Sequence, residues 1–290
     1  MTQVNALDIS VHNGIFNFQK AVDQGVEAVL IKASQRDFAD PLFMKNVEAA
    51  KKFDLQLGAF HFLDYTRRHY TEPYHEEFGK LQGRKFLEMV LPYVIDGTLK
   101  ITLEDENGKQ FDATLWYDLE IAYDWEKLDY SNLQRALKIA NGFKVKVKEG
   151  VRDNAKIEMN VGQYGSGYTF QIESPALTDV PAWLAWYQTK YDPSRSYKLA
   201  NGSIYFITGV HKGDWLLHQF SSTGEGKKYG NALGSPYIDL NRINPKYKLV
   251  KPGVVEPPTQ KTWEEFTEDE KIEFLKVELE KLKSKHPEIA

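Results

Sequence analysis

Four acidic side chains, at three places in the chain, lie in strand-like surroundings, where a carboxylate needs a reason. Asp118-Leu119-Glu120 falls in an apolar run, residues 115–121. Strand alternation puts Asp118 and Glu120 on one face, roughly 6–7 Å apart along the chain, with Leu119 on the other. Two like charges that close disfavour joint ionisation, so one carboxyl is kept protonated and can serve as an acid. Asp8 interrupts the apolar run 6–11, and Asp239 shares a strand face with Asn241. A carboxylate is costly to bury in an apolar strand without a partner or a purpose. For both, the ordinary alternative is a strand-end Asp that caps a loop. Acids at strand ends suit glycoside hydrolysis, which needs a proton donor for the leaving oxygen. It usually needs a second carboxylate as well, to stabilise or trap the oxocarbenium-like centre.

The elements that must position these acids read as alternating strands and helices. Strands are predicted at 6–11, 27–33, 55–63, 115–121, 157–164, 182–187, 215–221 and 236–240. A helix from Phe18 to Gln24 stops at Gly25. Asp40-Pro41 opens another through Phe53, as an N-cap with Pro at the first helical position. A third spans about 76–90, and a fourth, capped by Ser131, ends at Gly142. Such alternation implies an α/β fold with a mainly parallel sheet. If the sheet closes into a barrel, its first and last strands meet and Asp8 neighbours Asp239. Catalytic groups of such barrels gather at the C-terminal strand ends. Runs at 98–103 and 109–115 flank Glu106-Asn107-Gly108, a hairpin turn signal. This inserted hairpin is expected to shape or roof one end of the cleft.

Bulk properties narrow the classes of function. The 290 residues are 42% hydrophobic and 27% charged, which suits a globular domain with a real core. A net charge of −4 gives no basic field for nucleic acid or an anionic membrane. Cys is absent, so disulfides and Cys-ligated metal are excluded. No His/Asp spacing suggests a metal site. The N-terminus carries neither a cationic segment nor a long apolar one, so no signal peptide is expected. No apolar run approaches the ~18 residues of a membrane span.

The strand sequences resemble the glycoside hydrolase family 25 muramidases. The resemblance rests on Leu7-Asp8-Ile9-Ser10, Val29-Leu30-Ile31-Lys32-Ala33 and Gly58-Ala59-Phe60-His61-Phe62. It continues through Tyr117-Asp118-Leu119-Glu120, Trp183-Leu184-Ala185-Trp186-Tyr187, His218-Gln219 and Ile238-Asp239-Leu240-Asn241. These blocks occur in order over residues 5–243. The resemblance implies a single irregular TIM-like β/α barrel that hydrolyses the β-1,4 bond between N-acetylmuramic acid and N-acetylglucosamine. It needs neither metal nor organic cofactor. It also implies Glu120 as general acid, Asp118 and Asp239 as stabilisers of the reacting centre by attack or by orienting the acetamido group, and Asp8 as a tuning charge. The chain departs from the family where Ser34-Gln35-Arg36 stands for the usual T-E-G, and where Phe60 stands for Tyr.

Phe60, His61, Tyr164, Trp183, Tyr187 and Gln219 are the candidate substrate-binding residues. His61 either faces the cleft or is a satisfied core histidine. The aromatic rings either stack on sugars or fill the core.

The barrel is expected to occupy 1–250. A Pro-rich linker, 251–261, then leads to a C-terminal helix, 262–290, with an apolar stripe suited to self-association or docking on a virion. Peptidoglycan is the expected partner. A chain made in the cytoplasm without a signal peptide suits a phage or prophage lysin released by a holin or carried in a virion. The opposing reading is an inactive glycan-binding or structural virion protein on the same barrel.

Overall fold

The computed structural model describes residues 4–65, 74–120, 130–166, 181–185, 197–198, 204–205, 215–231 and 234–250. The chain opens with β1 (Ala6–Ile9), a 3-10 turn (Val11–Asn13), α1 (Phe18–Asp23), β2 (Ala28–Gln35) and β3 (Phe38–Ala39). Next come α2 (Phe43–Ala50), β4 (Gln56–Phe62), α3 (His75–Ile95), β5 (Thr102–Asp105), β6 (Gln110–Asp112), β7 (Leu115–Asp118) and α4 (Tyr130–Ala155). The second half adds β8 (Val161–Ser166), β9 (Ala182–Ala185), the short pair β10 (Tyr197–Lys198) and β11 (Ile204–Tyr205), and β12 (Trp215–Glu225). It ends with the one-turn helix α5 (Gly226–Tyr229), β13 (Tyr237–Ile243) and β14 (Tyr247–Leu249). The expected linker and C-terminal helix, 251–290, lie outside the described residues.

Eight strands close a barrel in the order β1-β2-β4-β7-β8-β9-β12-β13 and back to β1. Every neighbouring pair from β1 round to β12 is parallel. Only β13 runs against both its neighbours, β12 and β1. The fold is thus the α/β barrel expected from the alternation, with its last strand reversed. Closure pairs Asp8 with Asp239 in register.

Alternation along the strands divides the apolar residues into two layers. Leu7, Ile9, Val29, Ile31 and Ala59 point outward, where they pack with Phe86, Phe143 and Val147 of α3 and α4. Ala6, Leu30, Phe60, Trp116, Tyr164, Trp183 and Leu217 point into the barrel. Trp183 is the hub of that interior, edge-on to Phe60, Trp116 and Tyr164 at ring separations of 5.8, 5.8 and 4.7 Å.

Three sequence expectations are corrected. Gly142 does not end its helix, because α4 continues to Ala155. It is the contact with α3: a Cβ there would stand 2.1 Å from the carbonyl oxygen of Glu76, and one on Gly79 would stand 2.0 Å from that of Ile139. Glycine permits the two backbones to touch. Second, the helix expected from Asp40-Pro41 begins only at Phe43 and ends at Ala50. Asp40 instead ties the preceding loop, its carboxylate accepting from the amides of Leu42 and Val11, each at 2.9 Å.

The third correction concerns the hairpin. Its turn forms as expected, with Gly108 at φ 79° and the Asp105 carboxylate accepting from the amides of Asn107 and Lys109. However, β5 and β6 join β14 in a three-stranded sheet. That sheet covers the end of the barrel where the parallel strands begin, because β6 leads directly into the start of β7. Ile101, Leu103 and Ala113 enter the barrel interior there, with Phe111, Tyr247 and Leu249 packed against them. Gln56, the first residue of β4, donates to the carbonyl of Val250 at 2.7 Å and accepts from the amide of Thr102 at 3.0 Å. The insertion therefore plugs the floor of the barrel, away from the strand ends that carry the acids.

Candidate active site

At the C-terminal ends of the parallel strands lies a cleft of about 490 Å³, lined by Asp8, Asp118, Glu120 and Asp239 together. Phe60, Tyr164, Trp183 and Gln219 line it as well. Closure of the barrel brings these groups together: Asp8 stands on β1, Asp118 ends β7, Glu120 follows it, and reversed β13 starts at this rim with Asp239 near its beginning. All four acids expected from the sequence thus meet in one place.

Their surroundings differ. Asp8 is buried and fully engaged. Its Oδ2 accepts from the side-chain amides of Gln219 at 3.0 Å and Asn241 at 2.6 Å. Burial raises its carboxyl to about 6, although these amides and Asp239 pull it down. Asp239 is raised to about 8, first by burial and then by the charge of Asp8. Asp118 is pushed well above the carboxylate range by burial and then by Glu120, with Lys32 opposing. Its buried Oδ1 has no hydrogen-bond partner among the described residues.

Glu120 is on the exposed rim, yet the cleft wall behind it withdraws enough water to raise its carboxyl too; Lys32 again opposes. Burial thus pushes all four carboxyls upward, but to different extents, and leaves the acids in unequal environments. Such inequality is what separates a proton donor from a charged partner.

Lys32, which the sequence reading did not single out as a site residue, lines the same cleft. Its ammonium donates to Oε1 of Gln35 at 2.7 Å and sits 4.9 Å from the centre of the Phe62 ring. Burial lowers its pKa, while Asp118, Asp40 and Glu120 raise it. Lys32 shares the inward face of β2 with Leu30, and a lone charge in an apolar strand was the available signal. Ser10, His12, Asn13 and Ser222 complete the rim. Asn241 was readable as the face-mate of Asp239, but not as a donor to Asp8. Where Arg36 stands for the family's glycine, its backbone holds φ 54°, and Arg36 Nε pairs with Asp64 Oδ2 at 2.9 Å.

Not every expected binding residue reaches the cleft as imagined. His61 lies on the opposite side of the barrel wall and is corrected to a core histidine. It is fully buried, bonded to the Ser34 hydroxyl at 2.8 Å and to Gln82 at 3.1 Å, and stacked on Phe143. Burial drives its pKa down to about 3, so it is neutral. Phe60, Tyr164 and Trp183 form the cleft floor, each less than a tenth exposed. Tyr187 and Trp186 lie outside the described residues. No group of acids and histidines able to hold a metal ion occurs among the described residues. Nor is any described helix long and apolar enough to cross a membrane.

A closed α/β barrel with a carboxyl cluster at its C-terminal rim is the architecture of several glycosidase families. Here the particular resemblance is borne out: residues 7–98 match the family model described as glycosyl hydrolases family 25. The fold is that of a family 25 glycosyl hydrolase from Bacillus anthracis, at TM-score 0.51 and 17% identity, covering 84% of this chain and 90% of that one. It is likewise that of the bacterial lysozyme from Streptomyces coelicolor, at TM-score 0.52 and 18% identity over 84% and 93% of the two chains. The catalytic domain of endolysin ply40 from bacteriophage P40 of Listeria monocytogenes aligns at TM-score 0.50 and 16% identity, over 84% and 94%. No curated protein matches the chain in sequence.

Proposed function

We propose that this protein is a peptidoglycan hydrolase of the muramidase type, which cleaves the β-1,4 bond between N-acetylmuramic acid and N-acetylglucosamine. The observation that carries this reading is the meeting of Asp8, Asp118, Glu120 and Asp239 in one cleft, on a barrel whose first third matches the family 25 model. In this reading Glu120, at the open rim with its carboxyl pushed upward by burial, donates to the leaving glycosidic oxygen. Asp118 and Asp239 flank the sugar and stabilise the reacting centre, by attack or by orienting the acetamido group. Asp8, behind them, sets the charge of the cluster. Hydrolysis adds water across the bond and needs no redox partner.

A phage or prophage lysin is the setting we favour, supported by the likeness to the phage endolysin catalytic domain. The C-terminal segment 262–290 is proposed to serve docking or self-association.

Release of reducing sugar from purified peptidoglycan, with Glu120→Gln as comparison, tests the reading. Clear activity in the unaltered protein and a loss of about 10²-fold or more in the variant is the expected result for a general acid. Silence of both on several wall types would leave a glycan-binding or structural virion protein.

A further inference from the structure

Asp8 and Asp239 are direct partners across the antiparallel β1–β13 pair, and their carboxyls hydrogen bond to one another. Two carboxyls in contact hold a proton between them, and the question is which one owns it. The groups behind Asp8 answer it. The indole N–H of Trp183 can only donate, and it donates to Oδ1 of Asn241 at 2.8 Å. The amide of Asn241 is thereby fixed with its NH₂ toward Asp8 Oδ2. The Tyr164 hydroxyl donates to Oε1 of Gln219 at 2.8 Å, and Nε2 of the same amide donates to Asp8. One carboxylate oxygen thus receives two N–H donors, each oriented by an aromatic group in the packed interior of the barrel. An oxygen accepting two such bonds has no room for a proton and favours the ionised form.

We infer that Trp183–Asn241 and Tyr164–Gln219 are positioning pairs that hold Asp8 as the charged member of the dyad and place the shared proton on Asp239. The other charged or titratable groups facing the dyad are Lys32 from β2, Asp118 at the end of β7, Glu120 just beyond it, and His12 on the turn after β1. Asp118 and Glu120 add negative charge that favours retention of the proton, and Lys32 offsets part of it. For catalysis the inference rests on the proposed hydrolase reading and deepens it. A neutral Asp239 is a poor nucleophile, so its part is to orient the substrate, with its carbonyl oxygen open to an N–H donor such as an acetamido group. The rings of Tyr164 and Trp183 then act through Asp8 and Asp239 rather than on the sugar.

The placement is read directly on the full chain by carbon-13 NMR of labelled Asp carboxyl carbons, assigned with Asp8→Asn and Asp239→Asn. At pH 7 the expected spectrum shows Asp239 at the shift of a neutral acid and Asp8 at that of a carboxylate. A proton on Asp8, or two ionised carboxyls, in the unaltered protein would overturn the inference. Gln219→Met and the milder Trp183→Phe test the positioning. Each should raise the lower titration step of the dyad by about one pH unit, as expected for a lost donor to the charged form. An unmoved step in either folded variant would show that the amides do not direct the proton. The readout does not involve hydrolysis. A protein that cuts no wall but carries the proton on Asp239 sinks the hydrolase reading alone, and the converse sinks this inference alone.

Discussion

The ammonium of Lys32 is held by the neutral amide of Gln35, 2.7 Å away, where an acidic side chain would have neutralised it. Its charge is therefore felt by Asp118 and Glu120, whose carboxyls it pulls down against their burial. Gln35→Glu should quench this influence and let both acids rise further. The alkaline limb of the pH–rate profile on peptidoglycan should move up by about half to one unit, in keeping with one nearby charge. A profile that stays in place would show that Lys32 does not govern the working acid.

Stability should fall as the medium becomes alkaline. The carboxyl of Asp239 titrates near 8 when folded and near 3.8 as an isolated side chain. The folded state therefore binds more protons than the unfolded chain, so stability falls as pH rises through the folded value. His61, neutral when folded, works the other way only until the unfolded imidazole has lost its proton, which is nearly complete by about pH 7.5. Thermal melting between pH 6.5 and 8.5 should show a decline of at least about 3 °C, corresponding to roughly 1 kcal/mol in a domain of this size. Asp239→Asn should make the decline shallower, the raised carboxyl of Asp118 keeping its own share. An equal slope in that variant would assign the effect to other groups.

The α3–α4 contact predicts a contrast among glycines. Gly142→Ala forces a methyl against the backbone of Glu76 and should cost about 1–3 kcal/mol or more in denaturant unfolding. Gly150→Ala meets only the end of the Leu87 side chain, which can turn aside, and should cost visibly less. Equal losses would mean that the helices do not touch as described.

Removing the plug's anchor should separate stability from activity. Gln56→Leu leaves the amide of Thr102 and the carbonyl of Val250 without their partner, a loss of about 1–3 kcal/mol. Because Gln56 stands at the start of β4, far from the strand ends that hold the acids, kcat/KM on peptidoglycan should remain within twofold. A large drop in the folded variant would tie the plug to the cleft.

What the sequence disclosed follows from what periodicity can carry. Alternation gave the strands and a mainly parallel sheet, the ordered blocks and their family resemblance implied the barrel, and the adjacency of Asp8 and Asp239 followed once the sheet was taken to close. The same alternation could have settled His61: Phe60 and His61 are consecutive in β4, so both cannot face the cleft. Gly142 was ambiguous in principle, since a glycine that stops a helix and one that lets another helix approach look alike until the partner is known. The roles of Gln219 and Asn241 as donors to Asp8 were hidden for a related reason. Hydrogen bonds between the first and last strands depend on side-chain direction at a seam that no local pattern records.

That seam has a consequence for the life of the chain. Asp8 is made well before its amide partners, which lie on β12 and β13, the two strands that complete the ring. Until they arrive, the cleft has neither its back wall nor its paired acid, and Asp8 is an ordinary solvated aspartate. A chain cut short of those strands would hold Asp8 without either amide and without Asp239 beside it, so the site is owned by both ends of the barrel at once.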